Sequence, residues 1–141
     1  MNLPESKYER VVIVGGGFAG LEAAKQLVNQ PLQVVLLDKN NHFTFQPLLY
    51  QVATGGLEPN SIAYPLRRIF RKSGNIRFRM AEVQHIDAYG QQVQTNIGPV
   101  DYDYLVIATG TKPKFFGLDQ SRLLPLKSVT EAFQMPNRIL K

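Results

Sequence analysis

The sequence predicts an α/β fold of three layers, built on a parallel β-sheet with an antiparallel β-meander across one face. Three observations lead there. A β-branched run, a glycine-rich turn, a helical pattern and a second apolar run follow one another between Arg10 and Asp38. Alternating apolar and polar residues then recur between Ile76 and Ile97. A third apolar run, Tyr104 to Thr109, closes on another glycine.

Taken in order, Arg10-Val-Val-Ile-Val14 reads as a strand buried on both faces, the kind found in parallel sheets. Phe18 to Asn29 carries Leu21, Ala24, Leu27 and Val28 at helical spacing, and Pro31 is expected to stop that helix. Gln33 to Leu37 is a second buried strand closed by Asp38. The set is one βαβ unit, which should cross over right-handed. Asn40 to Asn60 shows no regular periodicity and reads as a long apolar loop holding Phe43, Phe45, Pro47, Leu48, Leu49 and Tyr50.

Pro65 suits the first turn of a helix with Leu66, Ile69 and Phe70 on one face and Gly74 just past its end. Ile76, Phe78 and Met80 alternate with Arg77 and Arg79, and Val83 and Ile86 extend the pattern. With Val93, Thr95 and Ile97 ahead of a Gly98-Pro99 turn, these pieces form the expected meander. Tyr104 to Thr109 is read as a third buried strand. Ser128 and Glu131 have capping-box spacing, so a helix should start there, with Pro136 interrupting or ending it. A doubly wound domain normally needs more strands than these, so the sequence reads as a cut segment.

Gly15-x-Gly17-x-x-Gly20 sits between a strand and a helix, and each glycine has a task. Gly15 allows the tight turn, Gly17 lets backbone approach a pyrophosphate, and Gly20 permits close helix–strand packing. Amides at the helix start, with the positive end of its dipole, then face the phosphates. Asp38 at the end of the second strand can accept hydrogen bonds from ribose hydroxyls and would repel a 2′-phosphate. The whole unit, more than the glycines alone, marks a Rossmann-like FAD/NAD(P)-binding fold. The glycines do not choose between FAD and NAD, because both share the ADP half.

Composition narrows the classes. The chain has 141 residues, net charge +5 and no cysteine, which rules out disulfides, thiolate zinc sites and a dithiol relay within it. No stretch approaches the roughly 18–20 apolar residues of a membrane span, and the mixed-charge N-terminus has no signal core. Arg67, Arg68, Arg71, Lys72, Arg77 and Arg79 form a basic cluster. It reads first as a solvated helix face and strand edge, and second as a contact for acidic lipid or a partner. No nucleic-acid motif accompanies it. His42 and His85 lack metal-ligand partners in sequence and read as structural.

Val11 to Ala24 resembles the amino-terminal FAD fingerprint of the two-dinucleotide-domain flavoproteins, and Tyr102 to Gly110 resembles their Ala-Thr-Gly segment. Asn41-His-Phe-Thr-Phe-Gln-Pro-Leu-Leu-Tyr-Gln-Val-Ala-Thr-Gly55 and Ile62 to Arg67 are similar to the type II NADH dehydrogenases, single-subunit NADH:quinone oxidoreductases. The resemblance implies that Gly15, Gly17, Phe18 and Ala19, with Gly20 behind them, cradle the pyrophosphate. Asp38 would hold the adenosine ribose, where many relatives have glutamate. It places Lys39 beside the adenosine, Val83 at adenine through its main chain, and Ala108, Thr109 and Gly110 along the cofactor path. Gln46 falls where relatives often carry a threonine near the flavin. The Phe43–Tyr50 loop divides evenly between core and a wall of the flavin pocket.

No catalytic or metal-ligating residue is assigned. The implied activity passes electrons from NADH through FAD to a membrane quinone. Residues 1–127 would form the first part of the FAD domain, and 128–141 the start of a connection to an NADH-binding domain beyond the chain. The rest of the FAD domain and a membrane-attaching tail are expected beyond that, so the isolated chain should be soluble and not turn over. The full-length protein would lie on the inner, cytoplasmic face of the cell membrane, and a homodimer is admitted. A ferredoxin-reductase-like flavoprotein and a non-catalytic dinucleotide-binding module are the alternatives. A sulfide:quinone reductase would need redox cysteines, which this segment lacks.

Overall fold

The computed structural model describes residues 1–119 and 123–139. Strands β1 (Arg10–Val14) and β2 (Gln33–Asp38) flank helix α1 (Phe18–Gln26). Short elements follow: β3 (His42–Thr44), a 3-10 turn at Gln46–Leu48, α2 (Leu49–Ala53), a 3-10 turn at Pro59–Ser61, β4 (Ala63–Pro65) and α3 (Leu66–Ile69). Then come β5 (Ile76–Met80), β6 (Val83–Asp87), β7 (Gln92–Thr95), β8 (Val100–Asp101), β9 (Tyr104–Ile107) and α4 (Val129–Ile139). The main sheet has the order β5-β2-β1-β9, and every pairing in it is parallel. Strands β6, β7 and β8 form an antiparallel meander, and β3 and β4 a two-stranded sheet.

The chain divides into two compact units, residues 1–43 with 65–110 and residues 44–64 with 111–141. In the first, strand alternation sends Val11, Ile13, Val34 and Leu36 to one face of the parallel sheet, where they pack with Leu21 and Ala24 of α1 and Leu66 of α3. Val12, Val14, Val35 and Leu37 face the other way, onto Val93 and Val100 of the meander. The layers are therefore helices, parallel sheet and meander, as the sequence predicts. Val12, Ile13, Val34, Val35 and Leu36 are fully buried, each contributing about 1.5–3 kcal/mol relative to exposure. The first residues of the chain lie against the meander side. Met1 and Leu3 pack there, the Met1 amine donates to Pro99 O at 3.1 Å, and Arg79 Nη2 donates to Asn2 O at 3.1 Å.

In the second unit Leu49, Val52, Ala53, Ile62 and Ala132 make a small core of their own. The capping box forms: Ser128 Oγ accepts from the Glu131 amide, and Glu131 Oε2 accepts from the amides of Ser128 and Lys127.

Several expectations are corrected. Helix α1 ends at Gln26 rather than Asn29, because Asn29 has φ 61° and Asn75 caps the end. Asn75 Nδ2 donates to the carbonyls of Leu27 and Gln30, and its Oδ1 accepts from the Asn29 amide. Residues 40–60 are not a structureless loop but a string of short elements, none long enough to leave a periodic signature. Pro65 occupies the N-cap of α3 rather than its first turn, and the helix ends at Ile69, so Gly74 is not its closing glycine. Pro136 lies inside α4 without ending it.

Strand β5 belongs to the parallel sheet, not the meander, pairing with β2 from Val34↔Ile76 to Asp38↔Met80. Its alternation is that of an edge strand, with Ile76 and Phe78 buried and Arg77 and Arg79 half-buried. Strand β9 is the opposite edge, and Tyr104 and Ile107 are 54% and 64% exposed. An apolar run reads as buried because composition does not reveal that a strand has only one neighbour. The basic cluster surrounds the β5 edge. Arg67, Arg68, Arg71 and Lys72 are exposed, and the Arg67 guanidinium lies 5.9 Å from the Phe78 ring centroid. Arginines beside an open strand edge discourage pairing with another chain.

Gly20 holds α1 against the turn after β1. A Cβ there would lie 1.8 Å from Gly15 O. Alanine favours a helix over glycine by about 1 kcal/mol, but a collision with backbone outweighs that gain. Gly20→Ala is expected to destabilise the fold by about 3 kcal/mol, lowering the melting temperature by roughly 10 °C. A melt followed by circular dichroism checks this, and an unchanged or raised midpoint would contradict it.

Candidate functional site

Parallel pairing puts the carboxyl ends of β5, β2, β1 and β9 at one end of the sheet. β1 lies between β2, reached through α1, and β9, reached only after the whole meander. The gap between β1 and β9 is thus a topological switch point, where open α/β sheets form their ligand crevice. Two glycine-bearing segments flank it: Gly15–Gly17 after β1 and Ala108–Gly110 after β9.

Their approach is close. The Ala108 amide donates to Val14 O at 2.8 Å, and the Gly15 amide donates to Leu37 O at 2.7 Å. Gly15 has φ 106°, and a Cβ there would lie 2.3 Å from Ala108 O. Helix α1 starts directly, the Leu21 amide bonding Gly17 O at 2.9 Å, so its first turn directs amide groups and the positive end of its dipole toward this end of the sheet.

Gly17 differs from its neighbours. A Cβ on it would meet nothing within 4 Å, whereas Gly15, Gly16 and Gly20 are all crowded. Packing of the chain therefore does not demand glycine at 17, but close approach of an anion does. Phe18 and Ala19 are exposed beside it, and Phe18 meets Phe43 edge-on at 5.0 Å between centroids. Asp38 is half-buried at the end of β2, next to exposed Lys39. Its Oδ2 accepts from the Gly16 amide at 2.6 Å and its Oδ1 from the Asn40 amide at 2.7 Å. The Ala81 amide donates to Asp38 O at 2.9 Å, tying the segment before β6, and so Val83, to the same corner. Thr109 and Gly110 are exposed.

The structure thus gathers Gly15, Gly17, Phe18, Ala19, Gly20, Asp38, Lys39, Ala108, Thr109 and Gly110 at the carboxyl end of the sheet. Val83 follows on the meander side. Gln46 belongs to the second unit, exposed at the start of the 3-10 turn Gln46–Leu48. Such an arrangement can bind a phosphate with backbone amides and a ribose diol with a carboxylate. Sequence reasoning missed Gly16, Leu66 and the Phe43 contact. The run Gly15-Gly16-Gly17 was the available signal, since the middle glycine is not required by the motif. Among the described residues no group of histidine, cysteine or acids could hold a metal ion, and no helix is long and apolar enough to cross a membrane.

The chain is similar to known proteins. The pyridine nucleotide-disulphide oxidoreductase family profile matches residues 9–136. Type II NADH:quinone oxidoreductase Ndh of Mycobacterium tuberculosis (strain ATCC 25618 / H37Rv) is 40% identical over 137 residues, covering 93% of this chain and 30% of that protein. The same organism's NdhA is 40% identical over 139 residues, covering 93% and 29%. The sulfide:quinone oxidoreductase of Aquifex aeolicus superposes with a TM-score of 0.85 at 31% identity, over 94% of this chain and 32% of that one. NDH2 from Plasmodium falciparum, solved in complex with NADH, gives 0.83 at 23% identity over 95% and 29%, a likeness of fold. The chain spans about 30% of the length of the curated relatives it matches. With the family match running through both glycine segments and nearly the whole chain, the protein belongs to the pyridine nucleotide-disulphide oxidoreductase family.

Proposed function

We propose that this chain supplies the ADP-binding part of the FAD site of an oxidoreductase that passes electrons from NADH to a membrane quinone. The open space at Gly17 carries the reading, since it is the one glycine of the turn that the protein's own packing does not explain. Similarity supports the finer assignment. Both Mycobacterium tuberculosis relatives at 40% identity are type II NADH:quinone oxidoreductases, and the chain has no cysteine for a sulfide-oxidising relay.

Bound FAD supplies the electron-transfer chemistry. The chain's own residues bind and orient it. Amides from Gly17 into α1 meet the pyrophosphate, with Phe18 and Ala19 beside it. Gly15 and Gly20 seat the helix so that those amides point correctly. Asp38 accepts from the ribose hydroxyls, Lys39 lies beside the adenosine, and Val83 offers main-chain groups to adenine. Ala108, Thr109 and Gly110 form the opposite bank of the crevice, and their small side chains leave the path open. Within the same proposal, residues 1–127 are the first part of the FAD domain and 128–141 lead toward an NADH-binding domain.

Gly17→Val is expected to fold normally, because its side chain enters open space, and to weaken binding of FAD or ADP at least about 100-fold by filling the place of the pyrophosphate. Fluorescence titration with FAD and calorimetric titration with ADP, alongside a thermal melt, make the test. A folded variant binding as tightly as wild type would falsify the assignment.

A further inference from the structure

The family's glycine pattern leaves the residue between its first two glycines unspecified. In this chain that residue, Gly16, is enclosed. A Cβ on it would lie 2.6 Å from Leu66 Cδ1 and 3.3 Å from Asp38 Oδ2. Leu66, the first residue of α3, is fully exposed to the core and shielded from solvent at 0% accessibility. The Gly16 amide points to Asp38 Oδ2 at 2.6 Å. The other carboxylate oxygen is held by the Asn40 amide at 2.7 Å, which fixes the rotation of the group. The end of β2, the start of α3 and the turn after β1 therefore meet at Gly16.

We propose that Asp38 is a positioning residue for the phosphate-binding turn: its carboxylate holds the Gly16 amide, Leu66 closes the other side, and the turn is set before any dinucleotide arrives. The inference rests on the dinucleotide reading above and adds to the ribose contact an action through the backbone. The two roles are compatible, because a carboxylate oxygen can accept more than one hydrogen bond. Ordering the turn in advance removes that cost from binding. The Gly16 amide is committed to the protein, so the phosphate donors are the amides from Gly17 onward.

The two roles separate with paired probes. ADP offers ribose hydroxyls to Asp38, while 2′,3′-dideoxy-ADP does not. If Asp38 acted only on the ribose, Asp38→Ala would bind dideoxy-ADP as well as wild type does. Positioning predicts that the variant remains about tenfold weaker for dideoxy-ADP, the scale of one lost charge-assisted hydrogen bond. In the ligand-free chain, hydrogen exchange followed by NMR should show the Gly16 amide at least about tenfold faster in Asp38→Ala, with the amides of Leu21 and Ala24 unchanged. Asp38→Leu has a similar shape and no accepting oxygen. It should show the same rapid exchange at Gly16 and the same deficit for dideoxy-ADP. It also carries the test if the alanine variant does not fold.

Unchanged Gly16 exchange in Asp38→Ala, or a binding deficit that disappears with dideoxy-ADP, overturns the proposal. So does an Asp38→Leu variant that folds and exchanges at Gly16 as slowly as wild type. Failure of the wild-type chain to bind either nucleotide instead contradicts the dinucleotide reading, and the exchange measurement still decides whether Asp38 orders the turn.

Discussion

The close approach of Gly20 to the carbonyl of Gly15 is the constraint on which the rest of the site depends. It lets α1 begin immediately after β1 and lie flat against the strand it has just left. The helix axis then carries its amino end to the carboxyl end of the sheet, where the strands stop. No side chain separates the two backbones, so the direction of α1 is set by contact and not by a flexible loop. Gly15 makes the matching approach on the other side, against Ala108 O, and locks the segment after β9 to the same turn.

Parallel pairing places that local constraint at a topological switch point. β1 is flanked by β2 and β9, and the chain leaves β1 toward one and returns to the other only after building the meander. The segments that leave β1 and β9 therefore meet at this end of the sheet, Gly15 lying against Ala108 O. Asp38 joins this corner because β2 runs in register with β1, Val14 opposite Leu37, which places the acid one residue beyond the last pair and level with the glycines. A strand shifted by one residue would turn the acid to the other face.

Much of this was legible in the sequence, for identifiable reasons. The βαβ unit could be read because β-branched runs, three spaced glycines and a terminal acid occur in strict order. The capping box of α4 could be read because its partners, Ser128 and Glu131, are sequence neighbours. What escaped was long-range or depended on context. Asn75 shortens α1 from a position far along the chain. Leu66 crowds Gly16 across a similar distance. Ile76 to Met80 alternates in burial, but alternation reports a half-buried strand without naming its partner, so a parallel edge reads like a meander strand. The β9 run is apolar enough for an interior, and its exposure at Tyr104 and Ile107 follows from its place in the strand order. Residues 40–60 held elements too short to show a period.

The phosphates of a dinucleotide are expected at the carboxyl end of the sheet, between the segments that follow β1 and β9. The most direct measurement is an NMR titration of the 141-residue chain with ADP, following every assigned backbone amide. The largest shifts are expected at Gly17, Phe18 and Ala19, with smaller ones at Asp38, Thr109 and Gly110, and none at Arg10 or Asp103 at the opposite end of the strands. Shifts confined to that opposite end, or spread over the surface with the glycine turn unmoved, would contradict it.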